Sequence, residues 1–158
     1  MRTVRGKTLR ALCWAMGIAA VAIGLLHVLG GNAVIPGAQD AGATIDSLGR
    51  FFGAIFAGYG LAWIRAARQT PVPAAAVRVL AGVFLLGGLG RLLSIAVAGR
   101  PQGFQLVLMA LELALPPVYF WLAGADGATY AAHGEPGEGR CPTGPAAPRT
   151  DREVTPEH

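Results

Sequence analysis

The chain has 158 residues, of which 53% are hydrophobic and 14% charged, against roughly a quarter charged in soluble globular domains. Its net charge of +4 divides unevenly, with ten Lys and Arg against three acids in residues 1–122 and three Arg against six acids in residues 123–158. No dense basic run is present to track phosphates, which argues against nucleic acid as a partner and leaves an all-α membrane protein as the class to expect.

The N-terminus, residues 1–10, is basic, with Arg2, Arg5, Lys7 and Arg10. Four apolar segments follow at about 11–31, 48–64, 79–98 and 104–122. Each approaches the ~20 residues that cross a hydrocarbon core, the second being the shortest. The first resembles a signal peptide, with Gly31-Asn32-Ala33 in the place of a cleavage site. Its apolar run exceeds a usual signal-peptide core and three more spans follow, so a retained helix is expected.

The first connection, 32–47, is the longest, and Pro36, Gly37 and Gly42 oppose regular structure there. Asp46 and Ser47 are placed to cap the second helix. The second connection carries Arg65, Arg68 and Arg78, and the third, 99–103, is a tight turn that makes the third and fourth helices antiparallel neighbours. From residue 123 the chain is rich in Gly, Pro and charge without apolar periodicity, as expected for a disordered cytoplasmic tail. The organisation is thus a basic N-terminus, a four-helix transmembrane bundle over 11–122 and a disordered tail.

Basic residues concentrate at the N-terminus and the second connection, which places both termini in the cytoplasm of a multi-pass inner-membrane protein. Trp14, Trp63, Trp121 and Tyr119 then fall where interfacial aromatics anchor a bundle. Cys13 lies in an apolar segment and Cys141 in the tail, which makes a disulfide between them improbable.

Read at helical spacing, each span carries one stripe of small and polar residues. They are Gly17, Ala20, Gly24, His27 and Gly31; Asp46, Arg50, Gly53, Ala57 and Gly60; Gly87, Arg91, Ser94 and Ala98; and Gln105, Met109, Glu112, Pro116 and Tyr119. Small residues permit close helix approach, so the stripes should face one another. Arg91 and Glu112 interrupt otherwise apolar spans, at roughly 10 Å below Ala98 and about 12 Å below Phe104. A charge at that depth costs at least a few kcal/mol and requires a partner, a wet cavity or a role. With His27 about 6 Å from Gly31 and Asp46 and Arg50 at the mouth, the five form an outward-lying, neutral polar cluster. Pro116 removes the amide that would satisfy the Glu112 carbonyl, so a kink is expected below the carboxylate.

Two readings of Arg91, Glu112, Asp46, Arg50 and His27 stay open. Arg91–Glu112 and Asp46–Arg50 serve as structural ion pairs that set helix register, with His27 a packed histidine. Alternatively the cluster lines a pocket for a small anionic or amphipathic molecule or a lipid. No nucleophile elbow, paired metal histidines or cysteine pair occurs, so no catalytic residue, metal ligand or cofactor is assigned and a non-enzymatic protein is favoured.

Several short patterns, Asp46-Ser47-Leu48-Gly49-Arg50-Phe51-Phe52-Gly53, Phe84-Leu85-Leu86-Gly87-Gly88-Leu89-Gly90-Arg91-Leu92-Leu93-Ser94, Gly99-Arg100-Pro101 and Glu112-Leu113-Ala114-Leu115-Pro116-Pro117, occur in order along the spans. In these the chain resembles a bacterial family of small four-helix membrane proteins classified as domain of unknown function 4345, over about residues 9–122. The resemblance implies an architecture and marks Asp46, Arg50, Arg91 and Glu112 as positions to test, without an activity. A looser likeness is to four-helix proteins of the DoxX type, which implies a quinone-linked or redox-associated subunit as the alternative. A third alternative is an assembly or accessory subunit of a membrane complex. The partners to expect are the lipid bilayer, a small molecule or lipid in the cluster, and further copies of the chain or another membrane protein.

Overall fold

The apolar segments fold as α1 (Val4–Gly30), α2 (Ala43–Arg68), α3 (Ala74–Ala98) and α4 (Gly103–His133), with a short 3-10 helix, Gly31–Val34, after α1. This is the arrangement in a computed structural model that describes residues 4–133, with side chains as far as residue 124. Among the described residues there is no strand. The helices overrun the expected spans at both chain ends. α1 extends back to Val4 rather than beginning at residue 11, because Arg5, Lys7 and Arg10 are good helix formers. α4 passes Leu122 and continues to His133, correcting the irregular chain expected from residue 123, and Ala123, Ala125, Ala128, Ala131 and Ala132 supply the helix propensity. The rest of the expected disordered tail, 134–158, lies outside the described residues.

Three helices are long and apolar enough to cross a bilayer: α1 with its 3-10 extension, α3, and residues Gly103–Gly124 of α4, with mean hydropathies of 2.2, 2.0 and 1.8. α2 is absent from that set although its 26 residues would reach about 39 Å. Asp46, Arg50, Arg65 and Arg68, with its glycines, lower its hydropathy.

Glycine determines how α1 meets α2. Gly17 and Gly24 lie one heptad apart on α1, as Gly53 and Gly60 do on α2, and all four are buried. A Cβ on Gly17 would sit 2.9 Å from the Gly60 carbonyl oxygen, and one on Gly24 would sit 2.6 Å from the Gly53 oxygen. The reciprocal positions are as tight, at 2.7 Å and 2.9 Å. The two backbones therefore run in contact from Gly17–Gly60 to Gly24–Gly53, as small residues allow where helices pack closely.

A second hairpin forms from α3 and α4. Gly88 is its close point, where a Cβ would lie 2.8 Å from Leu113 Cδ2. α4 runs through Pro116 and Pro117 as one helix, with Pro116 fully buried.

The hairpins join mainly at one end, where α1 begins and α4 passes Leu122. Leu9, Cys13, Trp63, Ala67, Val77, Ala81, Tyr119, Leu122 and Ala123 form one core there. The Trp63 and Tyr119 rings meet at 4.6 Å between centroids. The Tyr119 hydroxyl donates to the Leu12 carbonyl at 3.0 Å, tying α4 to α1, and the Tyr59 hydroxyl donates to Leu80 at 2.6 Å, tying α2 to α3. This corrects the expected role of two anchors: Trp63 is fully buried and Tyr119 nearly so, each turned inward. Trp14 and Trp121 do face outward, and the Arg5 guanidinium lies 4.9 Å from the Trp121 ring centre. Away from this core the large apolar side chains point outward, among them Leu25, Leu29, Phe51, Leu86, Leu93 and Val97, as lipid-facing side chains do.

Candidate functional site

The five polar residues singled out from the sequence resolve into two ion pairs, one on each hairpin, and a histidine. Arg50 Nε donates to Asp46 Oδ2 at 2.7 Å, a one-turn spacing on α2. The same guanidinium donates through Nη1 to the Val28 carbonyl at 2.6 Å and the Leu29 carbonyl at 3.3 Å. Those carbonyls belong to the last turn of α1, where no intrahelical donor remains. Arg50 thus caps α1 with a cation at the negative end of its dipole.

Asp46 was expected to cap α2, and the structure assigns that place to Gly42, whose carbonyl accepts the Ile45 and Asp46 amides without a side-chain cap. Asp46 faces back toward α1, its Oδ1 accepting the Asn32 amide at 2.8 Å. Gly31 makes this geometry accessible: its φ is +54°, and a Cβ there would run into the Asp46 carboxylate and the Arg50 guanidinium. Asn32, legible in the sequence only as part of a cleavage-site-like tripeptide, is buried at 7% exposure and donates through Nδ2 to the Ala41 carbonyl at 2.6 Å. Its position directly after a glycine pair at the end of an apolar span was the available signal.

The hydrogen bond from Arg50, followed by that from the Asn32 amide, holds the Asp46 carboxyl below its ordinary value. A carboxyl lowered on folding stabilises the native state above its unfolded value, and that contribution disappears as pH falls through the lowered native one. The effect is modest because the pair is exposed. Thermal melting of the purified protein in detergent should therefore lose more between neutral pH and about pH 3 than melting of Asp46→Asn. Equal losses would place the acid sensitivity elsewhere.

On the second hairpin, Arg91 Nε donates to Glu112 Oε2 at 2.8 Å and Arg91 Nη1 to Gln105 Oε1 at 2.5 Å. The adjacency follows from the tight turn between α3 and α4. The Glu112 side chain is 12% exposed and that of Arg91 37%. Gly88 lets α4 approach here, since a Cβ on it would lie 3.1 Å from Glu112 Cβ, whereas one on Gly87 would only touch the carboxylate at 3.9 Å. Beside the pair lies an open cleft of about 250 Å³ lined by Arg91, Ser94, Ile95, Pro101, Gln105 and Met109. Gln105 and Ser94 lay on the expected stripes without being singled out as site residues. His27 is half-buried, and its Nδ1 is 2.7 Å from the Ile23 carbonyl, so Nδ1 carries a proton and donates within α1. Among the described residues no hydrogen bond or ion pair joins His27 or the Asp46–Arg50 pair to Arg91 or Glu112. No group of three or more His, Cys, Asp or Glu there is arranged to hold a metal ion.

These pairs and the turn that joins α3 to α4 fall inside the residues matched by one family model, that of a domain of unknown function (DUF4345), over residues 8–123. The chain belongs to the DUF4345 family. The match takes in α2 and α3 whole and most of α1 and α4, ending at the inward-turned Ala123, so Asp46, Arg50, Arg91 and Glu112 all belong to the DUF4345 region. No curated protein and no solved structure matches the chain.

Proposed function

We propose that this DUF4345 protein is a four-span protein of the cell membrane with both termini in the cytoplasm, and that its cleft beside Arg91 binds a small anionic or amphipathic molecule, lipids included. The fourth span rests on the glycine contacts. α1 is apolar enough to cross, and α2 lies against it backbone to backbone from Gly17–Gly60 to Gly24–Gly53, which supports α2 crossing beside it. The basic residues at the N-terminus and around the second connection orient it.

The observation that supports binding is the disposition of Arg91. Glu112 and Gln105 hold Nε and Nη1, while the residue also lines an open cleft with the Ser94 hydroxyl and the apolar Ile95 and Met109. A guanidinium suits a carboxylate or phosphate oxygen, and the apolar wall suits a hydrocarbon stem. At about 250 Å³ the cleft lies below the ~300–1,000 Å³ of drug-sized pockets, so it fits a headgroup rather than a large ring system.

A labelled medium-chain carboxylate serves as the probe, with protein in zwitterionic nanodiscs. Saturable binding is expected to wild type, and binding at least tenfold weaker to Ser94→Leu, which fills the cleft and leaves the Arg91–Glu112 pair in place. Unsaturable partitioning of equal size in both would remove the binding reading.

A further inference from the structure

The opposite end of α2 carries a second arrangement of charge and apolar surface that the Arg91 cleft does not explain. Leu61, Ile64, Arg65 and Arg68 recur at the spacing that places side chains on one helix face. With Gln69 they line an open groove of about 470 Å³. Their order along the helix is apolar first and basic last, with Leu61 about 6 Å from Arg65 along the axis.

Arg10 shows what a structurally engaged arginine looks like in this region. Its Nη2 donates to the Gln69 carbonyl at 2.6 Å and to Thr70 Oγ1 at 2.9 Å, fastening the turn between α2 and α3 to α1. Arg65 and Arg68 are exposed and, among the described residues, make no hydrogen bond or ion pair. Basic residues in a last turn do offset the helix dipole. That alone requires neither a groove nor exposed apolar side chains one turn back, and Leu61 is 59% exposed.

We propose that this groove binds an anionic phospholipid, its phosphate between Arg65 and Arg68 and an acyl chain along Leu61 and Ile64. Arginine pairs phosphate oxygens through two parallel donors, and basic pockets at the ends of membrane helices hold acidic headgroups in this way. The site is independent of the Arg91 cleft, which lies toward the other end of the bundle.

Native mass spectrometry of the full chain, released from nanodiscs holding phosphatidylglycerol and phosphatidylcholine in equal amounts, tests it. Wild type should retain phosphatidylglycerol over phosphatidylcholine. Arg65→Gln with Arg68→Gln should reduce that preference about tenfold, while Arg100→Gln, in the turn between α3 and α4, should keep it. Both arginines are exposed, and unchanged circular dichroism would show the double variant folded; if it is not, Arg65→Lys with Arg68→Lys, which keeps the charge and loses the paired donors, should give an intermediate preference. Equal retention of the two lipids by wild type, or an undiminished preference in the folded double variant, overturns the proposal. Displacement of the lipid by inorganic phosphate alone would do so as well, since the acyl contact would then contribute nothing.

Discussion

Gly24→Leu is expected to part α1 from α2 and to remove most of the folded protein. A Cβ at this position would lie 2.5 Å from the Ala57 amide nitrogen and 2.6 Å from the Gly53 carbonyl oxygen. Both neighbours are backbone, so no rotamer change relieves the overlap and the helices themselves must move. Overpacking that displaces backbone costs roughly 1–3 kcal/mol or more, and Leu adds three heavy atoms beyond that Cβ. Gly24→Ala should show the graded form, losing about 2 kcal/mol, with Gly17→Ala close behind because its Cβ meets the Gly60 oxygen at 2.9 Å. Gly58, Gly82 and Gly90 are the controls, since nothing lies within 4 Å of a Cβ at any of them. Replacing those by Ala should be neutral or stabilising by about 0.5–1 kcal/mol through helix propensity. Unfolding in mixed micelles by a denaturing detergent reads all six variants. Equal effects at Gly24 and Gly58 would show that the backbones are not in contact.

The second large effect is an asymmetry across Arg91 and Glu112. Arg91→Gln leaves a carboxylate that is only 12% exposed without its cation. Breaking a fully buried pair costs about 3–5 kcal/mol, and the partial exposure of Arg91 reduces this to roughly 2 kcal/mol. Glu112→Gln should cost less. Arg91 would keep its bond to Gln105, and its long stem lets the guanidinium move toward water. The double variant Arg91→Gln with Glu112→Gln should recover part of the loss, giving a coupling of about 1 kcal/mol or more in the cycle. Strict additivity would mean that the two charges are solvated separately. The cycle reports on the pair alone, whereas Ser94→Leu reports on the cleft, so packing and binding roles are distinguishable.

The stripes show how far a sequence of this kind can be read. Gly17, Gly24, Gly53 and Gly60 were visible as heptad-spaced small residues, and they are the contact face of α1 and α2. The Asp46–Arg50 and Arg91–Glu112 pairings were likewise legible, the first from helix spacing and the second from the short turn after α3. The division of the cluster between two hairpins was not legible. Periodicity gives one face per helix, and which helix that face meets depends on packing that only the whole bundle determines. The same applies to Trp63 and Tyr119. Depth along a helix is readable from the sequence, but rotation about its axis is not, and an aromatic near the interface can anchor to lipid or turn into a core. The capping of α1 by Arg50 was hidden because it depends on the positive φ at Gly31, a backbone feature that leaves only one residue as its trace.

The proposed sidedness and the proposed outward placement of the Arg91 cleft both depend on α2 crossing with α1, and site-directed labelling tests that crossing most directly. Gln39→Cys and Gln69→Cys, placed one at each end of α2 in a Cys141→Ser background, are treated with a membrane-impermeant maleimide on intact cells. Cys13 is fully buried and stays silent. If α2 crosses with α1, Gln39→Cys labels from outside, whereas Gln69→Cys, and Cys141 tested separately in the unsubstituted chain, label only after the membrane is opened. Labelling of positions 39 and 69 from the same side, or of Cys141 in intact cells, would contradict the four-span arrangement.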